Sequence, residues 1–214
     1  MDKENQQKNQ TLKEMVYNRL FDDILSGKYP AESVITEKEL VEKFGISKSP
    51  IREALIELCN EGITRSIPRY GYEVKRITKS DISDAKNARV ILETGALGAY
   101  FEKITSNDIE RLQNILENDL DGEIGLLQHW DKNSKFHLAL MDIYGNKFIS
   151  EMLKSTLTFM TRAYVQYQYN KYRQMKFHGT SSHHKDVLEA IKNGDKEKAI
   201  KLLATDIGAF ETTF

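Results

Sequence analysis

The stretch Ile35–Leu55, ITEKELVEKFGISKSPIREAL, reads as two short helices joined at a glycine. Thr36 followed by Glu39 is a capping box, in which hydroxyl and carboxylate satisfy each other's orphan amides at a helix start. Leu40, Val41 and Phe44 recur at helical spacing as the inward face, and Gly45 ends the helix. Pro50 suits the first turn of the next helix, where a missing amide costs nothing. Ile51, Ala54, Leu55 and Leu58 form its buried stripe, and Gly62 closes it. Helix, glycine turn and helix at this spacing is a helix-turn-helix.

Upstream, Leu12, Met15, Val16, Leu20, Ile24 and Leu25 predict a helix over 11–26, with Thr11 as N-cap and Gly27 as stop. Downstream, two extended runs, Ile63 to Ile67 and Tyr72 to Ile77, flank the turn Pro68-Arg69-Tyr70-Gly71 and predict a β-hairpin wing. Past Thr78 no strand-like alternation stands out, and no further proline occurs. Helices are expected over 80–104, 106–121, 123–144, 146–175, 181–192 and 195–211, with breaks at Ser106-Asn107-Asp108, Gly145-Asn146, Gly179 and Gly194-Asp195. The expected fold is mostly α: a polar tail over 1–10, a winged helix-turn-helix over 11–77 and an all-α antiparallel bundle over 78–214.

The 214 residues, 40% hydrophobic and 29% charged, suit one large or two small folded domains. A polar first decade and the lack of an apolar run of spanning length predict a cytoplasmic protein with no membrane partner. The single cysteine, Cys59, excludes an internal disulfide and reads as a packed thiol. Net charge is −1, so any nucleic-acid face must lie in the placement of charges. Lys48 and Arg52 share a helix face opposite the apolar stripe, with Ser47 and Ser49 beside them, and no acid occurs from Ile46 to Arg52. The second helix of such a motif enters the major groove, where arginine can bind guanine by a two-bond fork. The bland reading, a solvated basic face, stands beside this one.

The quoted stretch, with Leu58-Cys-Asn-Glu-Gly-Ile63 and Pro68-Arg-Tyr-Gly-Tyr-Glu-Val74, closely resembles the DNA-binding domain of the GntR family. The resemblance spans Leu12 to Ile77. It implies dimers on a short palindromic operator in double-stranded DNA, contacted by Lys38, Ser47, Lys48, Ser49, Arg52, Arg69 and Gly71. Lys48 stands where the family most often has arginine, and lysine lacks the fork.

In the second half, Asn133 and His137 share one helix face. His184 and Asp206 fall at matching levels on two helices that reverse at Gly194. Histidine nitrogens and a carboxylate converging from three helices suit zinc or a similar divalent ion. Arg89-Val-Ile-Leu-Glu93, Phe136-His137 and His184 through Ala199 resemble the FCD effector domain of the FadR subfamily. That resemblance implies metal ligands at Asn133, His137, His184 and Asp206, and effector contacts at Arg89 and Asn146. Asn133 stands where the family has aspartate, and Asp206 where it has the last histidine. Either Asp206 supplies the anionic oxygen and metal binding persists, or it is lost and the pocket is purely organic. His183 points about 100° away around its helix.

Arg89 is the expected partner of a small carboxylate effector, with an ion pair to Glu93 four residues on as its competing role. The tyrosines at 164, 167, 169 and 172 are expected in core or dimer packing. The expectation is therefore a ligand-responsive transcription regulator, repression favoured over activation, with no enzymatic activity. A metal-dependent hydrolase with an accessory helical-hairpin domain is the alternative. It lacks a carboxylate with a clear claim as general base.

Overall fold

The computed structural model describes residues 11–117, 123–124, 126–172, 177–178 and 182–208. The tail over 1–10 and the break at Gly179 lie outside the described residues. The chain divides into two compact units, Met1–Ile77 and Thr78–Phe214.

The first unit runs α1 (Leu12–Leu25), β1 (Val34–Ile35), α2 (Glu37–Phe44), α3 (Lys48–Asn60), β2 (Thr64–Ile67) and β3 (Gly71–Val74). Thr11 and Glu14 form a full capping box at α1. At α2 only half of the expected box forms. The Glu39 amide donates to Thr36 Oγ1 at 3.1 Å, but the Glu39 carboxylate accepts from the Tyr29 hydroxyl at 2.7 Å. Gly45, at φ 66°, takes the left-handed conformation that ends α2. At the end of α3 the Ile63 amide reaches back to the Leu58 carbonyl at 2.9 Å, the long bond of a Schellman turn. Val16, Leu20, Leu40, Ile51, Leu55 and Leu58 are sealed from solvent in one core. Each such side chain contributes about 1.5–3 kcal/mol by burial.

One strand expectation is corrected and one unexpected strand appears. The run ending at Ile77 stops at Val74, and β1, a two-residue strand, joins the hairpin in the order β1-β3-β2. Two residues carry no alternation to read, so β1 left no pattern in the sequence. Ile67 pairs with Gly71 across the hairpin, and the Tyr70 amide donates to the Ile67 carbonyl at 3.0 Å. Pro68 thus takes the first corner of a type II turn and Arg69 the second, at φ 71°, where glycine is the usual occupant.

The second unit runs α4 (Lys79–Tyr100), a 3-10 turn (Phe101–Lys103), α5 (Ser106–Glu117), β4 (Glu123–Ile124), α6 (Leu126–Asp142), α7 (Lys147–Tyr172), β5 (Phe177–His178), α8 (Ser182–Lys192) and α9 (Lys196–Gly208). Thr78 with Asp81 caps α4 reciprocally, Thr105 with Asp108 does so before α5, and Asp195 caps α9. The unit is not all-α as expected: Glu123 pairs with His178 and Ile124 with Phe177 in an antiparallel ribbon. Such a pairing, over 50 residues apart in the chain, leaves no local periodicity. The core gathers Phe136, Leu112, Leu153, Val187 and Leu203, all fully buried, from α5 to α9.

Gly71, at φ 135°, lies so close to β1 that a Cβ there would stand 2.5 Å from the Ile35 carbonyl oxygen. Gly71→Ala should therefore cost more than backbone strain alone, about 1–3 kcal/mol for the conformation plus the collision. Gly45→Ala, with no atom within 4 Å of its Cβ, should cost about 1 kcal/mol. Urea denaturation of the two variants checks the order.

Candidate DNA-reading face and buried ligand site

On α3 the Ile51, Leu55 and Leu58 stripe packs inward, so Lys48 and Arg52 fall on the opposite face with side chains 63% and 54% exposed. Both are held by Glu37, the first residue of α2. Arg52 Nε donates to Glu37 Oε1 at 2.8 Å and Nη2 to Oε2 at 3.1 Å, while Lys48 Nζ stands 3.0 Å from Oε2. The hydrogen bonds from Arg52, then the ammonium of Lys48, pull the Glu37 carboxyl down to about 2 against the opposing effect of burial. The acid-free window in the sequence concealed this partner, because the carboxylate comes from the preceding helix. Its only sequence signal is a glutamate directly after the Thr36 cap.

The other expected DNA contacts separate by what they already do. Ser47 is the N-cap residue of α3 and its hydroxyl makes no capping bond. Ser49 donates to Glu53 at 2.9 Å, Lys38 is exposed on α2, and Arg69 is exposed at the wing tip beside Tyr70, itself 74% exposed. Gly71 is half-buried, and the close approach of β1 is the structural demand on it.

The second unit buries a polar cluster. His137 on α6, His184 on α8 and Asp206 on α9 each offer a ligand atom, all within 4.8 Å of one another. His137 Nε2 lies 3.0 Å and His184 Nε2 3.4 Å from Asp206 Oδ2. On α4, Glu93 is fully buried; one of its oxygens meets His137 Nδ1 at 2.6 Å and the other accepts from Arg89 Nε at 2.8 Å. Phe136 stacks on the His184 ring at 4.3 Å between centroids and holds it edge-on to His137. Among the described residues, Arg89 Nη2 and both ring nitrogens of His184 are buried with no hydrogen-bond partner, His184 Nε2 keeping only its 3.4 Å contact to Asp206.

These distances constrain the protons. Burial alone would push His137 down, yet the carboxylates of Glu93 and Asp206 outweigh it and hold its pKa above the ordinary 6.5. Burial keeps His184 below that value, so it is the neutral ring. Glu93 and Asp206 stay below the usual carboxylate range because the facing imidazoles, and Arg89 in the case of Glu93, overcome their burial. Two acceptors facing each other at 3.0 Å need a cation between them. Either His137 is doubly protonated, or a metal ion takes the place of the proton on Nε2. The Glu93 contact fixes Nδ1–H in both cases, the arrangement that orients metal-binding imidazoles.

The remaining expected residues are placed as follows. Asn133 is half-buried on α6, one turn before His137. Arg89 pairs with Glu93 and still has an unused nitrogen, so its two expected roles coexist. Asn146 caps α7, its Oδ1 accepting from Phe148 and Ile149 amides at 3.1 and 3.3 Å; no described contact ties it to the cluster. His183 comes nearer than its helix angle implies, with Nδ1 3.9 Å from Asp206 Oδ1. Tyr164 is buried against Trp130, with centroids 4.8 Å apart. Tyr167 is half-buried, and the side chains at 169 and 172 lie outside the described residues. Glu93 was legible as a partner for Arg89 but not for His137.

Among the described residues no helix is long and apolar enough to cross a membrane. Residues 12–74 match the family described as bacterial regulatory proteins, gntR family, and residues 84–209 match the FCD domain. The gluconate operon transcriptional repressor of Bacillus licheniformis is 24% identical over 193 residues, covering 84% of this chain and 75% of its own length. The HTH-type transcriptional regulator McbR of Escherichia coli (strain K12) is 26% identical over 177 residues, covering 82% and 79%. Two solved structures share the fold. E. coli McbR/YncC has a TM-score of 0.67 at 22% identity, over 95% of this chain and 99% of that one. A GntR regulator from Rhodococcus sp. RHA1 has 0.69 at 18%, over 94% and 95%. These relatives are transcriptional regulators, not enzymes, which removes the hydrolase alternative. A helix-turn-helix matched over 12–74 and an FCD domain over 84–209 make this chain a member of the GntR family of transcriptional regulators.

Proposed function

We propose that this chain is a ligand-responsive repressor of the FadR subfamily, binding a short palindromic operator as a homodimer in the cytoplasm. α3 enters the major groove with Arg52 and Lys48 at base edges. Lys38, Ser47, Ser49 and Arg69 contact the backbone or the neighbouring groove. A small carboxylate effector binds in the helical unit and shifts the population of DNA-competent dimers. The observation that carries this reading is the convergence of His137, His184 and Asp206 in a core that also holds the unused Nη2 of Arg89. A guanidinium nitrogen buried without a partner costs about 1–3 kcal/mol or more, and a carboxylate oxygen removes that cost.

The donor set of two imidazoles and one carboxylate fits a divalent ion such as zinc. His137, His184 and Asp206 would hold it, with the Asn133 carbonyl as a weak fourth position. A bound ion would supply positive charge and a coordination place for the effector's carboxylate. Glu93 orients His137 for that role, and Phe136 fixes the plane of His184. Repression of a gluconate operon by one relative agrees with an organic acid as effector. Exposed Ile91, Phe148 and Met152, at 75%, 79% and 60%, supply apolar surface suited to a second copy.

Arg52→Ala should weaken binding to an operator selected from a random library by about 10–100-fold, read by fluorescence anisotropy; unchanged affinity would remove α3 from the groove. Zinc uptake should be tighter at pH 8 than at pH 6, because His137, with its raised pKa, must release a proton to bind. Competition against a chromophoric chelator measures this, and His184→Ala should abolish it. Equal uptake by the wild type and that variant would leave the pocket purely organic. Arg89→Lys keeps a charge against Glu93 but loses the fork, so it should retain operator affinity and lose at least about ten-fold of the carboxylate response.

A further inference from the structure

Glu37 is an acid at the centre of a face that must approach a polyanion. Its side chain is only 16% exposed, while the two cations it holds are 63% and 54% exposed. Three elements meet at its two oxygens: it opens α2, Arg52 and Lys48 come from α3, and the Tyr72 hydroxyl of β3 donates at 3.4 Å. A carboxylate at the first position of a helix is also stabilised by the amide dipoles there. A two-bond arginine contact within such a network is the kind of surface ion pair that fixes geometry, unlike an isolated exposed pair.

The way Arg52 is held bears on what it can read. Nε and Nη2 form the side-on edge of the guanidinium, and that edge is taken by Glu37. Nη1 and the second proton of Nη2 form the end-on edge, and this pair of donors matches guanine O6 and N7. Free arginine and lysine side chains bind any phosphate they reach, which gives affinity without sequence information. A shared carboxylate opposes that in two ways: it restrains both cations to one pose, and its charge repels phosphates that would take them from it.

We propose that Glu37 is the positioning residue that sets operator selectivity, holding Arg52 and Lys48 for base edges and keeping them from indiscriminate phosphate contact. The proposal rests on the reading that α3 enters the major groove. Tyr72 ties the same carboxylate to the wing, so the recognition helix and the hairpin share one anchor.

The test compares full-length wild type with E37Q, E37D and R52A on two probes. One is a duplex selected from a random library by the wild type, and the other is a scrambled duplex of equal length. E37Q should keep the wild-type thermal midpoint within a few degrees and bind the scrambled duplex as tightly as wild type or more tightly. Its preference for the selected duplex should fall at least about ten-fold. E37D keeps the charge but is one methylene short, and should fall between E37Q and wild type. An unchanged preference in E37Q, with R52A losing it, overturns the proposal and leaves the groove reading standing. A parallel fall on both probes with a lowered thermal midpoint also overturns it, by reducing Glu37 to a structural tie. Should E37Q fail to fold, unchanged preference in E37D overturns it equally. If R52A itself leaves both affinities unchanged, the groove reading fails and the proposal with it.

Discussion

Burying Arg89, Glu93, His137, His184 and Asp206 together in one helical core is possible only because charge answers charge inside it. Moving a lone carboxylate or guanidinium out of water costs several kcal/mol even after relaxation, and removing one partner of a buried pair costs about 3–5 kcal/mol. The network therefore dictates where its helices lie. α4 must bring Glu93 between Arg89 and His137, while α8 and α9 must bring His184 and Asp206 to the other side of the same imidazole. A core held only by Leu, Val and Phe would tolerate small slips between helices. This one does not, because each hydrogen bond is directional. The network still leaves three of its nitrogens, Arg89 Nη2 and both of His184, without a hydrogen-bond partner among the described residues.

The DNA-reading unit uses the same chemistry at its surface. Glu37 restrains two cations from the facing helix, as Glu93 holds His137 from the facing helix and Arg89 from one turn back on its own. The difference is exposure. At α3 the oriented cations are exposed, whereas in the helical unit the oriented groups are buried. A chain with net charge −1 can thus present a local cationic face without carrying basic excess overall.

Legibility in the sequence followed the range of the interaction. Helix caps at Thr11 and Thr36, the α3 stripe and the wing turn are written within a few residues, so spacing alone reveals them. Helix pitch and one reversal at Gly194 put His184 and Asp206 at one level, and the resemblance to the FCD domain added His137 to them. Contacts that depend on how separate elements pack were not visible. β1 on β3, the β4–β5 ribbon, Glu37 on Arg52 and Glu93 on His137 all join segments whose registry the local pattern does not encode. Asn146 is a local case that spacing did not single out: its Oδ1 caps α7 within three residues.

The buried cluster is a metal site in this reading, and not merely a structural charge network. Anomalous diffraction at the zinc edge, on crystals of the full chain incubated with zinc, tests it most directly. One peak is expected within bonding distance of His137 Nε2, His184 Nε2 and Asp206, with Glu93 still on His137 Nδ1. No peak there, with His137 hydrogen-bonded straight to Asp206 and His184 Nδ1 still unpaired, would contradict it.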